Sequence, residues 1–481
     1  MSVKGLEKGY ETAFDSFFAS ALDNERLRLP GFVVMCRRGG DIYGPKAFGY
    51  SDLQTSSRMR ADAMFRMYSM TKVMTNALAL MLYDKGLFRL SDPVSLYLPA
   101  FDRPWSVVRE ATHGELPTGE IEVQNIALGT RRRTGYVATP AEQVMRIGHL
   151  MSETSGIGYD LWSDLDEVMG NTLCTKGAFH IANALRNVEC PGFFTSTAIL
   201  GQTVTLEEFC DTIARTGVLS TEPGQFSYGL GSAVLGRVIE IVYQRQINSR
   251  KSLSDIFHEQ LFAPLQMNDA TFYVTPDDPR AERIPTLYGV CEQAAGALSI
   301  IPAEHSCPLE GSEYSNHIDH VHGPGKLVSG DTGAMMPVAD YGRFLDFLAA
   351  GGTTPDGRRL LSEAGVAALT GQWIKGLELD TGLAHFFRCA GTANSGLPRA
   401  FSFGWSITQP AMEIREYEPR DHPGECSWDG YANTSVNYYR NEDAWIIIAP
   451  QLIVHGPRGT EEFLEALRLP AVSLFRQLWR G

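Results

Sequence analysis

Apolar positions recur along this chain with two different periods. Between positions 9 and 23, Tyr10, Phe14, Phe17, Phe18 and Leu22 share one side of a helical wheel, which predicts an amphipathic helix. After the Pro30-Gly31 turn, the short apolar run Phe32 to Cys36 reads as a buried strand. Gly39-Gly40 then closes a hairpin with a second strand near Ile42 to Gly49. The helical period returns from Ser69 toward Gly86, where Val73, Met74, Ala77, Leu78, Met81 and Leu82 form a stripe. It returns again after Tyr228, through Val234, Leu235, Val238, Ile239 and Val242. Ala444 to Ala449 is an unbroken apolar run of strand length, and Thr460 to Trp479 reads as a closing helix interrupted near Pro470.

A helix, antiparallel strands, a long helix and late strands predict an α+β body with a sheet covered by helices. Segments 103–142 and 160–205 are turn-rich or weakly periodic and read as surface excursions, as does the 290–330 loop. At 481 residues the chain exceeds the usual domain size, so one catalytic body with two packed lobes is expected.

Composition narrows the function. Lys and Arg number 42 against 56 Asp and Glu, a net charge of −14, which argues against a nucleic-acid partner because phosphate binding needs clustered cations. The short basic run Arg131-Arg132-Arg133 reads as a solvated connector. The first ten residues hold no apolar segment of signal-peptide length, and no later segment approaches membrane-spanning length; the expectation is a cytosolic protein without a membrane partner. The eight cysteines form no C-x-x-C pair, as expected of reduced thiols. His317, His320 and His322 fit no zinc-helix spacing and read as a loop, so no metal is expected. Phosphate-loop and dinucleotide glycine motifs are missing too, which leaves no cofactor implied.

The chemistry concentrates in Ser69-Met70-Thr71-Lys72. At a helix start, residues three apart share a face, so the Lys72 amine would stand near the Ser69 hydroxyl. Serine needs a base to become a nucleophile, and a desolvated lysine can be one. The helix N-terminus adds free N–H groups beside the reacting oxygen. The bland alternative is a helix-capping serine followed by a solvated lysine. Tyr228, at a turn entering an apolar helix, is the candidate second base, with a pKa lowered by a cationic Lys72.

Taken together these stretches resemble the serine β-lactamase and penicillin-binding-protein superfamily, in the branch of class C β-lactamases, D-alanyl-D-alanine carboxypeptidases and family VIII carboxylesterases. The resemblance is carried by Phe65 through Lys72, by Asp84 to Val94, by His149-Leu150-Met151-Ser152-Glu153-Thr154-Ser155-Gly156, where Glu153 stands at a common histidine position, and by Gly330-Asp331-Thr332-Gly333. It implies a β-lactamase/transpeptidase-like fold: an α/β lobe of about 1–68 and 330–481 and a helical lobe of about 69–329 in one domain. It also implies an oxyanion hole from the backbone N–H groups of Ser69 and Tyr431.

Two departures from the family pattern bear on substrate. Tyr228-Gly229-Leu230 stands where β-lactamases keep Tyr-x-Asn, and Trp428-Asp429-Gly430 where they keep Lys-Thr-Gly or His-x-Gly. Leu230 offers no hydrogen bond and Trp428 no cation, so Leu230, Trp428 and Gly430 are read as an apolar substrate-binding set that disfavours penicillins and peptides. The expected reaction is cleavage of a small-molecule carboxylic ester through an acyl-enzyme. The alternatives are acyl transfer to a natural-product alcohol or amine, as in lovastatin-type acyltransferases, β-lactam or D-amino-acid peptide hydrolysis, and a non-catalytic binding role.

Overall fold

The computed structural model describes residues 5–23, 29–125, 130–158, 205–292, 298–302, 327–371, 399–408, 424–454 and 464–479. Its largest sheet has eight strands in the order Arg399–Phe401, Ser406–Thr408, Cys426–Asp429, Ser435–Tyr439, Ala444–Pro450, Gly31–Arg38, Asp41–Asp52 and Ser57–Arg58. Every neighbouring pair is antiparallel. First and last segments of the chain therefore meet at the centre, with Val33 opposite Ala449 and Met35 opposite Ile447.

Strand alternation explains why the central runs are apolar throughout. Phe32, Val34, Cys36, Ile446 and Ile448 point to one face, against Phe14 and Phe18 of the Tyr10–Ala21 helix and Phe475 of the Leu469–Gln477 helix. Val33, Trp445, Ile447 and Ala449 point to the other face, into the main core shared with the Thr71–Asp84 and Val338–Ala349 helices. Both faces are covered, so neither strand needs polar positions.

The Thr71–Asp84 helix departs from its expected stripe. Every residue from Thr71 to Leu82 is buried, because the Gly231–Ile247 and Glu363–Thr370 helices also pack on it. An apolar stripe on one side is what a surface helix needs; this one is central. The expected closing helix is described from Leu464 on. A π-helical turn, Leu464–Arg468, leads into Leu469–Gln477, and Pro470 sits in the first turn, where its missing N–H costs nothing.

Two supposed excursions hold regular structure. Within 103–142, Ser106–Glu110, Gly119–Asn125 and Thr130–Pro140 form a sheet completed by Val218–Leu219. Val108 and Tyr136 of these strands form a small satellite cluster with Val218, while Val107 packs against the main core. Arg131, Arg132 and Arg133 are therefore strand residues and not a connector. The 290–330 segment begins with a hairpin, Tyr288–Glu292 against Leu298–Pro302. His317, His320 and His322, and nearly all of 160–205, lie outside the described residues. Cys36, Cys210 and Cys426 are free, buried thiols.

Candidate active site

The sheet and the all-buried helix meet at Ser69. The chain reaches it from the short strand Phe65–Arg66, through Tyr68 at a φ of 45°, into a 3₁₀ turn at Tyr68–Met70 and then the helix proper. Positive φ at a bulky residue is backbone strain, which is typically retained where a neighbouring group must be aimed. Ser69 holds neither cap position: Met67 stands at the N-cap of the 3₁₀ turn and Met70 at that of the helix, and neither end is closed by a side-chain cap bond. The Ser69 side chain meets Tyr228 instead.

Lys72 follows one turn on and is wholly enclosed, with no exposed surface. The alternative of a solvated lysine thus fails. Its Nζ donates to the Asp331 carbonyl at 3.3 Å, lies 3.8 Å from Asp331 Oδ2, and sits 4.8 Å from the centroid of the Tyr228 ring. Burial pushes the ammonium pKa down, against the opposing pull of the Asp331 and Glu153 carboxylates. A lysine so placed exchanges its proton more readily than one in water.

Tyr228 arrives on the turn between Phe226 and the Gly231–Ile247 helix. Gly229 must stay side-chain free, since a Cβ there would stand 2.1 Å from the Ile157 carbonyl oxygen. The electrostatics correct the expectation of an acidified phenol. Burial first, and then the Glu153 carboxylate, hold the Tyr228 pKa well above the ordinary value; contacts with Ser69 and Trp428 only partly offset them. In the resting site Tyr228 is a protonated phenol, suited to giving a proton before taking one.

Trp428, on the strand Cys426–Asp429, forms the wall beside these groups. Its ring centroid is 5.3 Å from that of Tyr228 and 5.2 Å from that of Phe401, which in turn lies 5.2 Å from Phe226. The strand then turns at Gly430, where a Cβ would come within 2.4 Å of the Met67 carbonyl oxygen. That close approach brings the Tyr431 main chain beside the Ser69 turn, with the Tyr431 and Tyr68 rings 5.9 Å apart. Leu230, the residue that leads into the Gly231–Ile247 helix, is fully buried in the same core cluster as Tyr228 and Trp428.

Sequence reasoning left two buried acids without a role. Asp331, from the Gly330-Asp331-Thr332 stretch, is fully buried and accepts hydrogen bonds from Ser329 and Thr332. Glu153, also fully buried, accepts from the Gly229 N–H at 2.9 Å and from Ser232 Oγ at 3.1 Å. Burial pushes its pKa up to about 7, although Lys72 and the two hydrogen bonds pull the other way. Both lie in stretches that the resemblance had marked; only their convergence on Lys72 was hidden. Among the described residues no cluster of three or more His, Cys, Asp or Glu gathers to hold a metal, and no helix is long and apolar enough to cross a membrane.

Comparison with known proteins bears on the family and the fold. Residues 14–452 match the β-lactamase family model. Protein Rv1367c of Mycobacterium tuberculosis is 26% identical over 431 residues, covering 89% of this chain and 86% of that protein. Esterase EstB of Burkholderia gladioli is 31% identical over 145 residues, 30% of this chain and 28% of that one. The solved structure of EstCE1, described as a hydrolase with promiscuous acyltransferase activity, superposes with a TM-score of 0.62 at 20% identity, covering 98% of both chains.

Proposed function

The chain belongs to the β-lactamase family, whose members are serine hydrolases and acyltransferases, and from that premise we propose that it cleaves small-molecule carboxylic esters through an acyl-enzyme on Ser69. One observation carries the reading: Ser69, Lys72, Tyr228 and Trp428 converge from three separate segments into one enclosed site, with an indole where a carboxylate-binding cation would be required for β-lactams. In this reading neutral Lys72 takes the Ser69 proton as the hydroxyl oxygen attacks the ester carbonyl. Backbone N–H groups of Ser69 and Tyr431 receive the oxyanion, and Tyr228 protonates the departing alcohol. Water, deprotonated by the same pair, then releases the acid.

The test is hydrolysis of p-nitrophenyl butyrate with intact-mass detection of an acyl adduct on Ser69. A catalytically inert protein that forms no adduct with esters or fluorophosphonates would sink the proposal. Trp428→Ala is expected to lower kcat/KM for the butyrate ester about tenfold while the acetate ester changes less, since the lost wall serves the longer chain. Parallel kinetics on the two esters check it; an equal loss on both would place Trp428 in positioning and not in substrate choice.

Acyl transfer is the second reading, favoured by the aromatic run Phe226, Phe401 and Trp428 beside the nucleophile, which disfavours water relative to an apolar acceptor. Product ratios with a competing alcohol separate it from hydrolysis.

A further inference from the structure

Glu153 is spent on nothing in the mechanism above, yet its main chain and its carboxylate are both bonded to the turn that carries Tyr228. Its backbone adopts a φ of 55°, a conformation that costs free energy for any residue but glycine. Its own carbonyl accepts from Ser227 N at 2.8 Å, and its carboxylate accepts from Gly229 N at 2.9 Å. Those two donors flank Tyr228 on either side. A third bond, from Ser232 Oγ at 3.1 Å, ties the same carboxylate to the first turn of the following helix.

We propose that Glu153 is a positioning residue: it grips the turn on both sides of Tyr228, and its charge, together with that of Asp331, sets how readily Lys72 gives up its proton. This rests on the acyl-enzyme reading. The charged and titratable groups facing Glu153 are Lys72 from the central helix, Asp331 from the 327–334 segment and Tyr228 from its own turn. Around one buried lysine there are thus two buried carboxyls. Asp331 alone, with its Oδ2 at 3.8 Å, is enough to balance the lysine, so a second carboxylate is surplus charge. The protonation of Lys72 and of Glu153 is then coupled through their charges: with Glu153 protonated, Lys72 is the easier to keep neutral, and with Glu153 ionised, the lysine holds its proton longer. The pKa of Glu153 near neutrality puts that exchange in the working range.

Replacing Glu153 by glutamine separates grip from charge. The amide oxygen still accepts from Gly229 N and the amide group still reaches Ser232 Oγ, but the charge is gone. The acidic limb of the kcat/KM profile, which reports loss of the Lys72 proton, is expected to move to lower pH by about one unit. The fluorophosphonate labelling rate of Ser69 should follow the same shift. Glu153→Ala loses the grip as well, so its kcat should fall about 100-fold with KM little changed. Ser232→Ala supplies an independent variant: without one of its donors the carboxyl protonates more easily, and the limb should move the same way by a smaller amount.

Acidic limbs that stay at the wild-type pH in folded Glu153→Gln or Ser232→Ala protein would overturn the proposal. If Glu153→Gln does not fold, Ser232→Ala decides alone. Failure of the wild-type protein to be labelled at Ser69 would instead count against the acyl-enzyme reading, so the two failures are distinguishable.

Discussion

Ser69→Ala is expected to abolish ester hydrolysis, lowering kcat by about 1,000-fold or more, with a Tm within a few degrees of wild type. The chemical part follows from the loss of the oxygen proposed to form the acyl bond. Oxyanion donors and the aromatic wall remain, so a small rate above the uncatalysed one survives. The stability part is less obvious and tests the geometry directly. A serine at a helix start normally caps it, and removing such a cap costs about 1 kcal/mol. Here the helix begins after Ser69 and no serine cap bond exists in either turn. The hydroxyl is spent on Tyr228 and not on the backbone. Stopped assays with p-nitrophenyl butyrate and a calorimetric melt measure the two halves. A large fall in Tm with a small fall in rate would return Ser69 to a structural role.

What was legible in the sequence was whatever depends on near neighbours or on unusual residue types. The three-residue spacing of Ser69 and Lys72 needs only a helix. The apolar runs at Phe32–Cys36 and Ala444–Ala449 announced central strands because both faces of the sheet are covered. Trp428 stands out by its chemistry in a recognisable motif, and its ring packs against that of Tyr228. What was hidden depends on segments far apart in the chain. Glu153 and Asp331 are 178 positions apart yet frame one amine. The pKa of Tyr228 was misread in direction because proximity to Lys72 was weighed and burial was not. The 103–142 sheet is hard to see in the sequence because its strands, such as Thr130–Pro140 with three successive arginines, are rich in polar residues and turn-formers.

Lys72→Met is the variant in which catalysis and folding come apart. Rate is expected to fall about 100- to 10,000-fold, the usual range for a lost general base. Methionine fills nearly the same volume, so packing in the all-buried helix is kept, but two buried carboxyls lose their cation. At Glu153 the consequence has a definite sign. Its folded pKa, about 7, already exceeds the ordinary 4.5 because of burial, and Lys72 is the largest influence pulling it down. A carboxyl whose folded pKa is raised contributes stability that is fully present below its unfolded pKa and is lost as pH rises through the folded value. Without Lys72 the folded value climbs further, and ionising Glu153 in the folded state becomes more costly. The Tm deficit of Lys72→Met, which includes the loss of the buried pair with Asp331, should therefore widen by several degrees between pH 5 and pH 8, because the uncompensated Glu153 charge appears only as its proton is lost. Removing the carboxylate too, in Lys72→Met/Glu153→Gln, should recover part of that deficit at pH 8 and almost none at pH 5. A deficit independent of pH would mean that Lys72 acts in folding through packing alone, and that the negative charge framed around it has no hold on its proton.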